Sequence, residues 1–210
     1  MPALSPDRIR SLLAPFILPP LELPEPLIDQ VSDYLELLLR WNARVSLTAI
    51  RSPEEIAQRH FGESFFAAGH LATRLPPNAE LLDYGSGPGF PGLPIQMLFP
   101  GIHVTLAESQ ARKVAFLREV IRTLHLSAEV WPRRVEEMPE SRRFDAVTMR
   151  AVEKMTTAMD AAAGRVREGG WIATLVGREI DATDGEEFRI PTSEHRRLVI
   201  RQIVPRGTIL

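Results

Sequence analysis

The sequence predicts an α/β protein whose mostly parallel sheet is flanked by helices and preceded by a helical extension. Apolar residues recur at helical spacing before residue 75, and strand-like runs alternate with amphipathic segments from residue 80 onward. A glycine-rich loop follows the first strand-like run. Such alternation is typical of a parallel sheet covered on both faces. We therefore divide the chain into a helical extension, 1–76, and a sheet domain, 77–210, packed together as one unit.

The extension carries two helix signals. An apolar stripe over residues 27–41 has the spacing of a helix face. Ser52 with Glu55 three residues later has the form of a capping box, which predicts a second helix with an interruption at Gly62. The proline pair at 76–77 then predicts a turn.

The sheet domain alternates strands with helices. Strands are predicted at 80–84, 102–107, 128–131, 144–149, 171–176 and 197–204, and helices at 93–99, 111–124 and 156–166. The Gly169-Gly170 pair is expected to end the last of these helices.

Composition excludes several classes of protein. The chain has no cysteine, which excludes disulfide scaffolds, thiolate metal sites and cysteine nucleophiles. Its histidines lack metal-ligand spacing, so we expect no metal. It lacks a long apolar run and a signal-peptide pattern, so we expect a cytoplasmic protein without membrane contact. The formal net charge is −2, and the basic groups near 40–59 and 112–122 are interpreted as solvated helix faces.

The glycine-rich loop after the first predicted strand is the most informative segment. Residues 85–92 read G-S-G-P-G-F-P-G, and glycines let a backbone turn sharply and approach a ligand closely. Gly87, Gly89 and Gly92 match a dinucleotide fingerprint, whereas Asp83 before G-x-G-x-G fits an S-adenosylmethionine site. The Gly-Lys-Ser/Thr ending of a phosphate-binding loop is missing.

A carboxylate at the end of the second predicted strand supports a nucleoside ligand. Glu108 lies 19 residues after Gly89. A carboxylate at such a position can accept hydrogen bonds from both ribose hydroxyls. Because NAD and S-adenosylmethionine sites share this feature, it leaves both cofactors open.

Six segments carry signatures in a fixed order along the chain. They are Trp41-Asn42 with Leu47-Thr48, Arg59-His60 with Glu63-Ser64, residues 83–94, Glu108-Ser109 with Lys113 and Phe116-Leu117, Arg134-Val135-Glu136, and Arg150-Ala151. Together they resemble the RsmG (GidB) family of bacterial methyltransferases. The resemblance implies a Rossmann-like class I S-adenosylmethionine-dependent methyltransferase fold. It also implies methyl transfer from S-adenosylmethionine to nitrogen-7 of a specific guanine in 16S ribosomal RNA, presented as RNA, ribosomal subunit or assembly particle.

The resemblance also implies roles for individual residues. The cofactor-binding residues would be Gly85, Gly87, Gly89, Phe90, Glu108, Val135, Glu136 and Arg150. The glycines would approach the methionine part of the cofactor, Glu108 would hold the ribose, and Val135 with Glu136 would contact the adenine. Arg150 is also the candidate catalytic residue. The candidates for contact with RNA are Asn42, Thr48, Arg59 and His60, whereas Trp41 is interpreted as a helix-packing residue.

The sequence departs from the family pattern at four positions. Ser46 stands where the family usually has Asn, Glu63 replaces Asp, Met149 replaces Ser, and Val176 replaces Lys. These departures affect the expected RNA contacts more than the cofactor site. The departures leave open a catalytically degenerate methyltransferase fold that binds RNA. An NAD-dependent oxidoreductase also stays open, because Gly87, Gly89, Gly92 and Glu108 fit a dinucleotide site.

The predicted chemistry needs no general base. Guanine nitrogen-7 is already nucleophilic and loses no proton when it is methylated. Carbon-5 methylation of a pyrimidine usually needs a cysteine, and the chain has none. The Asn/Asp-Pro-Pro-aromatic motif of amine methylation is also missing after the fourth predicted strand, where residues 149–152 read M-R-A-V.

Overall fold

The computed structural model describes residues 3–151, 155–177 and 185–204. The helices are α1 (Pro6–Leu13), α2 (Glu25–Asn42), α3 (Pro53–Ile56), α4 (Glu63–Ala72), α5 (Gly92–Leu98), α6 (Ala111–Thr123) and α7 (Met155–Ala163). A π-helical turn, Ala57–Gly62, joins α3 to α4. Within the described ranges, no helix has the length and apolar character needed to cross a membrane.

The strands form one sheet with a mostly parallel core. They are β1 (Glu80–Tyr84), β2 (His103–Ala107), β3 (Glu129–Trp131), β4 (Phe144–Arg150), β5 (Val166–Val176), β6 (Glu186–Arg189) and β7 (Arg197–Gln202). Their order is β3-β2-β1-β4-β5-β7-β6. The first five are parallel, and β7 runs antiparallel to both of its neighbours. The predicted α/β class with a mostly parallel sheet is confirmed.

The strand order reverses between β1 and β4. From β1 the chain proceeds outward through β2 to β3 and then returns to β4 on the other side of β1. Such a switch point leaves a crevice at the carboxyl ends of the two central strands. The glycine loop follows β1, and Arg150 is the last residue of β4, so both lie at this crevice.

Two predicted helix boundaries are wrong. The helix that Ser52 caps, by accepting the N–H of Glu55, continues through Gly62 as a π-helical turn. Gly62 is needed there for packing, since a Cβ would lie 2.6 Å from the Phe16 ring. The pair Gly169-Gly170 lies within β5, where the register with β4 shifts as in a β-bulge.

Strand β6 was not predicted. Its sequence, E-E-F-R, is mostly exposed and shows no apolar alternation. Pairing with β7, from Glu186 opposite Ile200 to Arg189 opposite Arg197, makes this segment a strand. An edge strand rich in charge is common in natural sheets, because charge discourages pairing with another chain.

The helical extension and the sheet share one hydrophobic core. Tyr34 of α2 is fully buried, and its ring stacks on Phe90 of the glycine loop with centroids 5.1 Å apart. The edge of Phe61 meets Tyr34 at 5.2 Å, and Phe116 of α6 lies 6.2 Å from it. Aromatic pairs of this kind contribute about 0.5–1.5 kcal/mol each beyond the area they bury. The extension therefore supports the loop that opens the crevice.

Candidate functional site

The glycine loop turns sharply at the end of β1. Gly85 and Gly87 have φ values of 67° and 56°, a region that costs other residues energy. A Cβ at Gly87 would meet nothing nearer than the Gly85 oxygen at 3.9 Å, so this position faces open space. Ser86 donates its hydroxyl to the Asp83 carbonyl at 2.9 Å, and its N–H donates to the Ala107 carbonyl at 3.0 Å. These bonds hold the loop against β2.

Gly89 has a different function in the same loop. Its φ is 93°, and a Cβ there would lie 2.4 Å from the Tyr34 hydroxyl and 2.7 Å from a methyl of Leu93. The Tyr34 hydroxyl donates to the Pro88 carbonyl, and burial raises the pKa of Tyr34 well above its usual value. Gly89 is therefore required for packing and does not line the cavity described next.

A cavity of about 210 Å³ lies beside the loop at the carboxyl ends of β1 and β4. It brings together several predicted site residues from distant parts of the chain. The lining residues are Leu47, Thr48, His60, Gly85, Ser86, Gly87, Pro88, Phe90, Lys113, Arg150 and Ala151. The predicted residues Gly89, Glu108, Val135 and Glu136 lie outside this lining, as do Asn42 and Arg59.

One wall of the cavity is a stack of rings. Phe90 is sandwiched between Tyr34, described above, and His60, whose centroid is 4.8 Å away. The His60 Nε2 is 2.9 Å from the Thr48 hydroxyl, so these two residues are hydrogen-bonded. Burial, reinforced by Arg150 and Arg59, lowers the pKa of His60 well below its usual value. His60 is therefore neutral at physiological pH.

Asn42 supports the cavity from behind and does not face it. Its side-chain oxygen accepts the N–H groups of Leu47 and Thr48, and its amide donates to the carbonyls of Thr48 and Ile50. These four bonds use the whole hydrogen-bonding capacity of the buried amide. The expected RNA contact of Asn42 is therefore revised to a supporting role for the loop that carries Thr48.

A buried ion cluster adjoins the cavity through Arg150. Glu63 of α4 is 3.4 Å from Arg150 and 2.8 Å from Arg196, with its side chain only 3% exposed. Burial raises the pKa of Glu63, although both arginines oppose this effect. Burial also lowers the pKa of Arg150 to about 10, which leaves it charged at neutral pH. The cluster therefore carries excess positive charge.

Arg150 retains an unused donor in this cluster. Its Nη1 is buried and has no hydrogen-bond partner among the residues that the structure describes. The next residue, Ala151, has a φ of 50°, and such strain in a non-glycine residue is common at functional sites. A buried guanidinium with an unpaired N–H beside a cavity is suited to an anionic ligand group.

Arg59 lies at the edge of this region. It is on the π-helical turn, and its guanidinium pairs with Glu55 at 3.0 Å. Its predicted contact with RNA stays a prediction. Short π-helical turns occur frequently at functional sites.

The remaining predicted cofactor residues lie along the same edge of the sheet. Glu108, after β2, accepts the N–H of Gly87 at 3.0 Å and that of Gln110 at 2.8 Å. Glu136 accepts the hydroxyl of Tyr84, the last residue of β1, at 2.6 Å. Val135 is buried in the smaller of two hydrophobic clusters. Both carboxylates are thus fixed beside the glycine loop.

Comparison with known proteins decides the family. The family model described as rRNA small subunit methyltransferase G matches residues 27–197. The chain belongs to this family. A family member from Stenotrophomonas maltophilia (strain K279a) is 43% identical over 138 residues, covering 65% of this chain and 59% of the relative. A family member from Roseiflexus castenholzii is 40% identical over 159 residues, which cover 73% of this chain and 67% of the relative. The chain thus spans about three fifths of the first relative's length.

Solved structures agree on the fold. An RNA methyltransferase from Salinibacter ruber in complex with S-adenosyl-L-homocysteine is 12% identical, with a TM-score of 0.56 over 69% of this chain and 92% of its own. An S-adenosylmethionine-dependent O-methyltransferase from Thermotoga maritima is 13% identical, with a TM-score of 0.55. The match covers 70% of this chain and 66% of the O-methyltransferase. The predicted Rossmann-like class I methyltransferase fold of this family member is confirmed.

Two site residues of this family member were missed by sequence reasoning. Arg196, between β6 and β7, reaches Glu63 only through the tertiary fold, and no local pattern distinguishes it from the adjacent arginine. Tyr34 lies on a helical stripe that predicts core and nothing more specific. A carboxylate at position 63, two residues from Phe61 and from Phe65, was a usable signal, because a charge on a buried helix face needs a partner.

Asp83 joins three elements beneath the glycine loop. Its carboxylate accepts the Thr148 hydroxyl from β4 at 2.9 Å and the N–H of Gly92, the first residue of α5, at 3.1 Å. Burial is complete and outweighs these hydrogen bonds, so the pKa of Asp83 is raised to about 6. Asp83 therefore holds the loop in place without contacting the cavity.

This raised pKa predicts a pH-dependent contribution to stability. The folded protein binds the Asp83 proton more tightly than the unfolded chain, so the contribution is complete below about pH 4 and is lost as the pH rises through about 6. Asp83→Asn can keep both contacts, with Oδ1 accepting the Gly92 N–H and Nδ2 donating to the Thr148 hydroxyl, but it cannot titrate. We expect the unfolding free energy of the wild type, relative to this variant, to fall by up to about 3 kcal/mol between pH 4 and pH 7. Urea denaturation of both proteins at about pH 4 and pH 7 measures this difference in unfolding free energy. The same difference at both pH values would contradict the prediction.

Proposed function

We propose that this chain binds S-adenosylmethionine beside the glycine loop and transfers its methyl group to nitrogen-7 of a guanine in 16S ribosomal RNA. The observation that carries the proposal is the unpaired buried donor of Arg150 at a cavity formed by that loop. Family membership supports methylation of ribosomal RNA, and the relatives' shared name refers to the small subunit.

The residues present fit the cofactor. Arg150 offers an unpaired N–H to the carboxylate of the methionine part. The glycine loop leaves open space at Gly87, where no side chain intervenes. Glu108 uses one lone pair of each oxygen on the backbone, so each oxygen keeps another for a ribose hydroxyl. Val135 and Glu136 complete the predicted adenine side.

The chemistry follows from these positions. S-adenosylmethionine, when bound, supplies an electrophilic methyl group. The protein's part is to align the guanine nitrogen with that group and to exclude water, and alignment can lower a barrier by about 7–11 kcal/mol. The neutral His60 and its partner Thr48 form a polar wall that needs to remove no proton. Arg150 would orient the reactants, in keeping with its proposed catalytic role.

The two alternatives have weaker support. The dinucleotide match depends on Gly92. However, the N–H of Gly92 donates a hydrogen bond to Asp83, and a Cβ at this position would lie 2.8 Å from both Asp83 and Leu106. This glycine is therefore explained by packing without any cofactor. A degenerate RNA-binding module would not need the unpaired Arg150 donor. We propose a cytoplasmic enzyme that meets its RNA as part of a small ribosomal subunit or its precursor.

The test is a product analysis. The protein is incubated with unmodified 16S rRNA or small subunits and methyl-labelled S-adenosylmethionine, and the RNA is digested to nucleosides. We expect label in 7-methylguanosine at a single position. Label in another nucleoside, or none with either substrate, would overturn the proposal. Thermal denaturation with S-adenosylhomocysteine tests the cofactor separately, with NAD as the control. At 100 times its dissociation constant, a ligand stabilises the folded protein by about 2.7 kcal/mol, which raises the melting temperature.

A further inference from the structure

A second hollow opens at the carboxyl end of α2. It has a volume of about 240 Å³ and is lined by Arg40, Trp41, Arg44 and Val45. Trp41 is half-buried, and it packs on Phe116 of α6 with ring centroids 5.6 Å apart at 64°. The interpretation of Trp41 as a helix-packing residue is therefore incomplete, because the ring also forms an accessible wall. We call this site the Trp41 hollow.

The rim of the Trp41 hollow is positively charged. Arg40 and Arg44 are exposed, and neither guanidinium has an ion-pair or hydrogen-bond partner in the described part of the chain. Arg112, also exposed, lies one helical turn before Phe116 on α6. The contact between Trp41 and Phe116 thus brings together cations from the two basic groups that the sequence presents separately. Cations without carboxylate partners are expected where an anionic partner binds.

The Trp41 hollow adjoins the cavity beside the glycine loop. Val45 lines the hollow and Leu47 lines the cavity, and the Leu47 N–H donates to the Val45 carbonyl at 2.8 Å. Two residues of chain span at most about 7 Å. Lys113, which also lines the cavity, is on α6 together with Phe116. The two sites are therefore close enough for neighbouring nucleotides of one RNA strand to reach both.

We propose that the Trp41 hollow binds an unpaired nucleotide that neighbours the methylated guanine. Its base would lie against Trp41, and its phosphates would contact Arg40 and Arg44. RNA is read through unpaired bases stacked on aromatic and arginine side chains, and the hollow offers one ring together with two arginines. This proposal rests on the proposed function, because it assumes that the cavity receives a guanine of RNA.

A charge-matched pair of variants tests the phosphate contacts. Arg40→Ala/Arg44→Ala is compared with Arg118→Ala/Arg122→Ala, which removes two exposed arginines at the same spacing from α6. Dissociation constants for a 16S rRNA transcript are measured across salt concentrations. We expect RNA binding to weaken about tenfold in the first double variant and less than twofold in the second. In the first variant, the slope of log affinity against log salt concentration should also be smaller by about 1.4. Each phosphate contact to a single strand contributes about 0.7 to this slope.

The stacking contact is tested at Trp41 itself. Trp41→Leu should weaken RNA binding about tenfold without changing the salt slope, and Trp41→Phe should retain most of the affinity. Melting temperatures and affinity for S-adenosylhomocysteine report folding and the neighbouring cavity, and both should be unchanged in the arginine variants.

The outcomes separate the two proposals. If the wild type methylates 16S rRNA but the two arginine pairs bind it equally, only the Trp41 hollow is overturned. If the wild type does not bind the RNA, both proposals are overturned. If it binds RNA with the expected difference between the pairs yet transfers no methyl group, the Trp41 hollow stands as an RNA-binding site, and both the proposed reaction and the neighbouring methylated guanine are overturned.

Discussion

Arg150→Met is expected to lower methyl transfer about a hundredfold while leaving most of the protein folded. The substitution removes the buried, unpaired donor of a residue that lines the cavity, and small errors in alignment of reacting groups cost rates of this order. Affinity for S-adenosylhomocysteine should fall about tenfold, because a charge-assisted hydrogen bond contributes roughly 1.5–3 kcal/mol. Single-turnover kinetics and calorimetry measure the two effects.

The same substitution has a structural cost that must be separated from its effect on the reaction. It leaves Glu63 with Arg196 alone, and breaking a buried ion pair costs about 3–5 kcal/mol. Because Glu63 keeps Arg196, we expect a loss of about 3 kcal/mol in unfolding free energy, which corresponds to a fall of about 6–12 °C in melting temperature. Glu63→Gln is the comparison variant, because it removes the carboxylate that both arginines share but keeps the Arg150 donor. It should lose at least as much stability as Arg150→Met and much less activity. An equal loss of activity in Glu63→Gln would show that Arg150 acts only through folding.

Gly89→Ala is expected to destabilise the protein by about 4 kcal/mol, or about 10 °C in melting temperature. The new Cβ would occupy a left-handed conformation and collide with Tyr34 and Leu93, and each effect costs about 1–3 kcal/mol. Tyr34 cannot move freely, because its ring is stacked on Phe90 and fully buried. Differential scanning calorimetry measures the loss.

Gly87→Ala is the matched control in the same loop. Its φ is also positive, but its Cβ would enter open space beside the cavity, so we expect a stability loss of only about 1–2 kcal/mol. Because the methyl group occupies space assigned to the ligand and blocks the close backbone approach that glycine permits, affinity for S-adenosylhomocysteine should fall at least about tenfold. Equal melting temperatures for the two variants, or unchanged ligand affinity in Gly87→Ala, would show that the two glycines are wrongly assigned.

Local patterns in the sequence were sufficient for most of the fold. The strand at 80–84, the helix over 111–124 and the helical stripe of 27–41 follow from periodicities that a single element satisfies by itself. The glycine loop and Glu108 were also recognisable, because tight turns and strand ends restrict residue type at short range. Strand β6 could not be found in this way, since its neighbour β7 supplies the hydrogen bonds that define it.

The sequence by itself determined the α/β class, the position of the glycine loop and the family signatures from Trp41 to Ala151. Only the tertiary structure decided what those residues do. It separates Gly87, which faces the cavity, from Gly89, which packs on Tyr34, and it assigns the buried Asn42 to loop support. These assignments depend on contacts between residues distant in the chain, as when Arg196 reaches Glu63. Burial and pairing across such distances set the charge of a site, and sequence periodicity carries no record of them.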